Sequence, residues 1–227
     1  TYEGTSEGAQ EVIEKIKAGK LDLATYDRLS EFLDMFDILK KYNVAKGDPL
    51  GADYDEMAID LADGKTAFWF NGNWAWPNIS EAGAEEEDAY GFLPYFLNND
   101  EDDFVNQQIQ ASPSKQVMLD GQIATEKEQK AAKEFLNWIV FSEIGQQMLV
   151  KTCNIIPPFQ NNPYEPGDPL SADIYQKVHE GKAFNASAIV PNDHWAVLGA
   201  AMQKYLADRS DREELTESVQ KYWDEQE

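Results

Sequence analysis

The chain has 227 residues, which is enough to bury a core and to form one or two domains. Hydrophobic residues make up 42% of it, so a disordered chain is excluded. Its 42 acidic residues outnumber its 19 basic ones, and the net charge of −23 repels nucleic acid and anionic membrane surfaces. Cys153 is the single cysteine, so an internal disulfide and a cysteine metal cluster are excluded.

Helical periodicity and capping residues predict several helices along the chain. They cover residues 6–18, 25–42, 55–62, 126–141, 142–151, 171–180, 193–208 and 210–223. The predicted caps are Ser6, Thr125 with Glu128, Ser142, Asp193, and Ser210 with Glu213. Residues 66–70 and 90–96 are apolar on both faces, which is typical of strands in a covered sheet. Several helices with a few buried strands predict an α/β fold.

Four of the aromatic residues are predicted to pack in the core. Phe135 and Trp138 lie on the apolar stripe of the predicted helix 126–141. Trp69 alternates with phenylalanines in a predicted strand, and Trp223 lies near the end of the last helix. These four rings are therefore interpreted as packing residues rather than as ligand contacts.

The remaining tryptophans lie at turns and helix starts, where polar groups accompany them. Residues 71–76 place Trp74 and Trp76 beside two asparagines, and residues 193–195 place Trp195 at a predicted helix start. A pyranose has an apolar C–H face that can settle on an indole and hydroxyl groups that an asparagine amide can bind. The candidate ligand-binding residues are therefore Trp74, Trp195, Trp76, Asn73, Asn71, His194 and Asp193.

No set of residues predicts catalysis, a metal site or a cofactor. His179 and His194 are the only histidines, and they share no metal-ligand spacing. Carboxylates are so abundant that some pair of them would match a glycosidase in any case, so such a pair is not evidence for catalysis here. The chain is therefore predicted not to be an enzyme, to hold no metal and to need no cofactor.

Four blocks of sequence, in this order and spacing, resemble the extracytoplasmic solute-binding proteins of ABC sugar importers, the maltose-binding-protein-like class. The blocks are GKTA at 64–67 with NGNWAW at 71–76, KAAKEFLNW at 130–138 with SEIGQ at 142–146, CNIIPP at 153–158, and HWAV at 194–197 with the closing Tyr222 and Trp223. Gly199 stands one turn after Trp195, where maltose-binding members carry a basic residue, so the resemblance does not extend to maltose as the ligand.

The resemblance implies a periplasmic-binding-protein-like (type II) fold of two α/β lobes, with the ligand in the cleft between them. This chain corresponds to the C-terminal portion, with most of the N-terminal lobe missing. Residues 1–98 and 158–227 are expected to form the C-terminal lobe and residues 104–152 to belong to the N-terminal lobe, with hinge crossings at 99–103 and 153–157. The chain opens on Thr1 rather than Met, as expected of a processed or truncated piece.

The function implied is binding of a sugar, expected to be an oligosaccharide, and its delivery to the permease subunits of an ABC importer. A companion fragment could supply the missing lobe. The implied location is extracytoplasmic, as a secreted protein, a membrane-tethered lipoprotein or a periplasmic protein. Two alternatives stay open at this point: a glycoside hydrolase or transferase fragment with a carboxylate pair, and a non-catalytic domain whose tryptophans meet another protein.

Overall fold

The computed structural model describes residues 5–85, 89–112, 117–185 and 188–226, and this part of the chain is mostly helical. The α-helices are α1 (Ser6–Lys17), α2 (Asp27–Tyr42), α3 (Tyr54–Ala62), α4 (Trp76–Glu81), α5 (Phe104–Gln107), α6 (Glu126–Phe141), α7 (Glu143–Gln147), α8 (Pro169–His179), α9 (His194–Leu206) and α10 (Arg212–Asp224). Shorter helical turns cover Leu23–Thr25 and Asn73–Ala75, and a π-helical stretch, Met148–Thr152, continues α7.

Polar side chains cap α1, α3, α5, α6, α7, α8 and α10, although not always at the predicted residue. The Asp193 side chain makes no capping hydrogen bond at the start of α9, so its predicted role as a cap is wrong. Thr125 and Glu128 form the predicted capping box, with the Thr125 backbone N–H donating to the Glu128 carboxylate at 2.8 Å. The predictions of Ser6 and Ser210 as caps are wrong. Thr5 caps α1 and Asp211 caps α10, because each has the extended backbone that lets its side chain reach the free N–H groups.

The two predicted strands, residues 66–70 and 90–96, do not form. Within the described residues the strands are β1 (Ile109–Gln110) and β2 (Ala183–Phe184), which pair in parallel with Ile109 opposite Ala183. A strand needs a partner to take its backbone hydrogen bonds, and residues 66–70 find none in this part of the chain. In the described residues, the predicted α/β fold is therefore seen only as helices with one short, two-stranded sheet.

The core is built mainly between helices that are distant in sequence. One group joins α1 to α10 and consists of Val12, Ile13, Ile16, Leu23, Tyr222 and Trp223. A second group joins α3, α4 and the start of α8 through Ala58, Ala75, Trp76, Ile79, Ala84 and Leu170. Trp223 is buried and Trp69 packs against the second group, so both are packing residues as predicted.

Helix α6 does not have the buried stripe that its sequence predicts. None of its residues is buried, and Phe135 is 57% exposed. The rings of Phe135 and Trp138 stack on each other at a centroid distance of 6.0 Å. The prediction that these two rings lie in a core is therefore wrong for this structure, since the apolar face of α6 is open.

Residues 98–107 are tied to α2 by a polar network centred on Asp103. Its carboxylate accepts from both terminal nitrogens of Arg28, at 2.5 and 3.3 Å, and from the Asn98 amide at 2.9 Å. Just after it, Val105 is fully buried against Met35 and Leu97. No described helix is both long enough and apolar enough to cross a membrane.

Candidate functional site

Trp74 lies in the short helical turn Asn73–Ala75 and exposes 67% of its surface. The turn is closed by the Ala75 N–H, which donates to the Gly72 carbonyl at 3.0 Å. The six-membered ring of the indole folds back over Gly72, where a Cβ atom would stand only 2.2–2.5 Å from three ring carbons. The backbone of Gly72 therefore seats one side of the ring while much of the indole stays open to solvent.

The residues next to Trp74 anchor the turn to the protein. The Asn73 amide nitrogen donates to the Ser171 hydroxyl at 3.0 Å, and Ser171 is fully buried in the first turn of α8. Trp76 is buried and meets the Tyr90 ring edge-on at a centroid distance of 5.6 Å. Trp76 therefore packs inside the protein, and its ring offers no face to a ligand in this structure.

Trp195 is the second residue of α9 and exposes 77% of its surface. Its ring meets the half-buried His194 edge-on at 4.7 Å, and His194 in turn lies 5.3 Å from the Trp223 ring. The Tyr222 hydroxyl donates to the Asp193 carboxylate at 2.9 Å. Trp195 thus projects from a packed aromatic group, as Trp74 projects from its turn.

The electrostatics around Trp195 keep His194 neutral near pH 7. Burial lowers the pKa of His194 below its ordinary value of 6.5, and the Asp193 charge offsets this only in part. Burial and the hydrogen bond to Asp193 raise the pKa of Tyr222. A neutral imidazole has one donor and one acceptor nitrogen, which suits a hydroxyl-bearing ligand.

The seven predicted residues form two groups that the structure keeps separate. Within the described residues, no hydrogen bond or ring contact joins residues 71–76 to residues 193–195. The first group packs on α8 and the second on α10. The described residues also contain no cluster of three or more side chains of the kinds that hold a metal ion.

Three residues that organise these groups were not among the predicted site residues: Gly72, Ser171 and Tyr222. Ser171 is 98 positions from its partner Asn73, so nothing local marks it. Tyr222 lies in the closing helix, where its ring fits the apolar stripe and its hydroxyl is easily overlooked. Gly72 leaves the clearest signal, because a glycine between two asparagines directly precedes the tryptophan turn.

The structure thus has two exposed tryptophans, Trp74 beside asparagine amides and Trp195 beside an imidazole. Residues 3–174 match the family of bacterial extracellular solute-binding proteins, and the chain belongs to this family. The match includes the Trp74 group and Ser171. Comparison with curated proteins and with solved structures gave no match. The predicted family is thereby confirmed at the level of extracellular solute binding, and the protein works outside the cytoplasm.

Proposed function

We propose that this protein binds a sugar, most favourably an oligosaccharide, on the exposed indoles of Trp74 and Trp195, and delivers it to the permease of an ABC importer. One observation carries the proposal. Trp74 is 67% exposed and yet seated on Gly72, within the residues that match a solute-binding family. An exposed ring that is held in place offers a sugar an apolar face at little conformational cost.

Polar groups beside the rings suit the hydroxyl edge of a sugar. The Asn71 side-chain oxygen accepts from the Gly72 N–H at 2.9 Å, and within the described residues its amide nitrogen has no protein partner. That nitrogen can donate to a hydroxyl group. Asp193 and His194 supply an acceptor and a neutral imidazole beside Trp195, although the Asp193 carboxylate is already engaged by Tyr222.

We also propose a division into lobes: residues 1–98 and 158–227 in one, residues 104–152 in the other, and crossings at 99–103 and 153–157. The open apolar face of α6 supports it, because a helix with no buried residue needs a partner surface. Within the proposed second segment, Val105 is buried against Met35 and Leu97, and Ile109 pairs with Ala183, so its first residues also contact the first lobe.

The natural partner for the α6 face is then the remainder of the N-terminal lobe, from the same precursor or as a companion fragment. Because both tryptophan groups lie in the first lobe, closure of the second lobe over a bound ligand would cover both of them. The strongly acidic surface fits a neutral ligand better than an anionic one, because the charge of −23 repels anions.

Calorimetric titration with maltotriose, cellotriose and xylotriose tests the proposal. At least one trisaccharide should bind, and chromatography after prolonged incubation should recover it intact. Shorter sugars that accumulate in proportion to protein concentration would instead support a glycoside hydrolase or transferase. If no trisaccharide binds in calorimetry or quenches tryptophan fluorescence, sugar binding is refuted and a protein-interaction role becomes the better account of the exposed rings.

A further inference from the structure

The contact between Gly72 and the Trp74 indole is closer than any side chain at position 72 would permit. A Cβ atom there would lie 2.2 Å from Cζ3, 2.3 Å from Cη2 and 2.5 Å from Cε3 of Trp74. The backbone gives no reason for glycine, because φ of −119° and ψ of 176° are ordinary extended values that every residue adopts. The need for glycine therefore lies in the ring above it.

We infer that Gly72 is a positioning residue that fixes how Trp74 presents its indole to the ligand, an inference that rests on the proposed sugar site. With no side chain at position 72, the ring lies flat enough on the backbone to be held from one side. The same ring is 67% exposed, so its other side is open for a ligand. A methyl group at position 72 would occupy the space that the indole ring now fills and would force the indole into another rotamer.

The backbone of the turn is anchored and cannot move away to relieve such a clash. The Asn73 side chain is bonded to the fully buried Ser171, and the Ala75 N–H is bonded to the Gly72 carbonyl. Trp76, two residues after Trp74, is buried among apolar side chains. The exposed indole is thus the part free to yield, so Gly72→Ala should move the ring without unfolding the protein.

The experiment is a thermodynamic cycle with Gly72→Ala, Trp74→Ala and the double variant. Affinity is measured for the tightest of maltotriose, cellotriose and xylotriose. Gly72→Ala alone should weaken binding about ten- to a hundredfold, as Trp74→Ala does, because both remove the ring from the ligand. In the Trp74→Ala background it should have no further effect. Gly121→Ala is the control, because nothing lies within 4 Å of a Cβ atom at that position.

A second measurement needs no sugar. The contribution of Trp74 to the near-ultraviolet circular dichroism is the difference between the spectra of the wild type and Trp74→Ala, and most of this contribution should be absent from Gly72→Ala. The melting temperatures of Gly72→Ala and Gly121→Ala should stay close to that of the wild type. The inference is overturned by wild-type affinity and dichroism in Gly72→Ala, by additive effects in the cycle, or by a marked loss of stability. If Trp74→Ala binds like the wild type, or if no trisaccharide binds, the proposed function fails, and the dichroism comparison still decides the role of Gly72.

Discussion

Replacing Asp103 by asparagine removes the charge at the centre of the network that ties residues 98–107 to α2. The Asp103 side chain is only 8% exposed and accepts hydrogen bonds from both terminal nitrogens of Arg28. It also accepts from the Asn98 amide and from the Val105 N–H, at 2.9 and 3.2 Å. These bonds favour the carboxylate over the acid, with the hydrogen bond from Arg28 contributing most.

The size of the effect follows from the pKa of Asp103, which these bonds lower from 3.8 to about 2. Each unit corresponds to about 1.4 kcal/mol, so the charged form contributes about 2 kcal/mol to the free energy of unfolding at pH 7. Because the pKa of the folded state is the lower one, this contribution is complete well above pH 3.8. It is lost as the pH falls toward 2, and about half remains at pH 3.

Urea denaturation of the wild type and Asp103→Asn at pH 7 and at pH 3 measures both quantities. The variant should be about 2 kcal/mol less stable at pH 7, and the gap should narrow by about half at pH 3. Glu11→Gln is the control: Glu11 pairs with Lys15 at 2.9 Å on an exposed helix face, and such exposed pairs contribute little to stability. Equal stability of the two variants at pH 7, or a gap unchanged at pH 3, would refute the reasoning.

Three further predictions concern stability. Burial lowers the pKa of His194 in the folded state, so as the pH falls this residue is protonated in the unfolded chain before it is protonated in the folded one. The melting temperature of the wild type should therefore decrease as the pH falls through 6.5, and His194→Gln should weaken this dependence on pH. Ser171→Ala leaves the Asn73 amide without its acceptor and should cost about 1–3 kcal/mol in urea denaturation. Phe135→Ala should cost less than about 1 kcal/mol because the ring is exposed, whereas Trp223→Ala should cost about 3–5 kcal/mol; similar losses would contradict the open face of α6.

Most of the helices could be predicted from the sequence because their signals are local, although the short helices α4 and α5 were not predicted. The capping box of Thr125 and Glu128 spans four residues and is formed as expected. The errors at Ser6 and Ser210 are shifts of one residue, since a neighbouring Thr or Asp had the backbone conformation of a cap. Helix boundaries are accordingly good to about one or two residues.

The predicted strands and the α6 stripe failed because both depend on partners elsewhere. Apolar residues on both faces of 66–70 indicate a preference for burial, but they do not supply the neighbouring strand that would satisfy it. Phe68 and Phe70 are instead exposed. Likewise, the periodicity of α6 identifies an apolar face but not the surface that covers it.

The sequence predicted where the exposed tryptophans of the candidate site lie, but not how the side chains around them are oriented and bonded. Tryptophans at turns with amides nearby marked Trp74 and Trp195, and both are exposed. The same pattern suggested Trp76, which is buried, because a two-residue step along the turn reverses the direction of the side chain. The hydrogen bond from Asn73 to Ser171 is a tertiary contact that no local pattern could reveal.

Calorimetric titration of the wild type, Trp74→Ala and Trp195→Ala with the best-binding trisaccharide tests the central claim most directly. If the exposed indoles stack on sugar, each truncation should cost on the order of 1–3 kcal/mol of binding free energy, or about ten- to a hundredfold in affinity. Their melting temperatures should stay near that of the wild type, because neither ring is buried. Wild-type affinity in both variants, or unfolding of both, would contradict the claim that these two tryptophans form the ligand-binding surface.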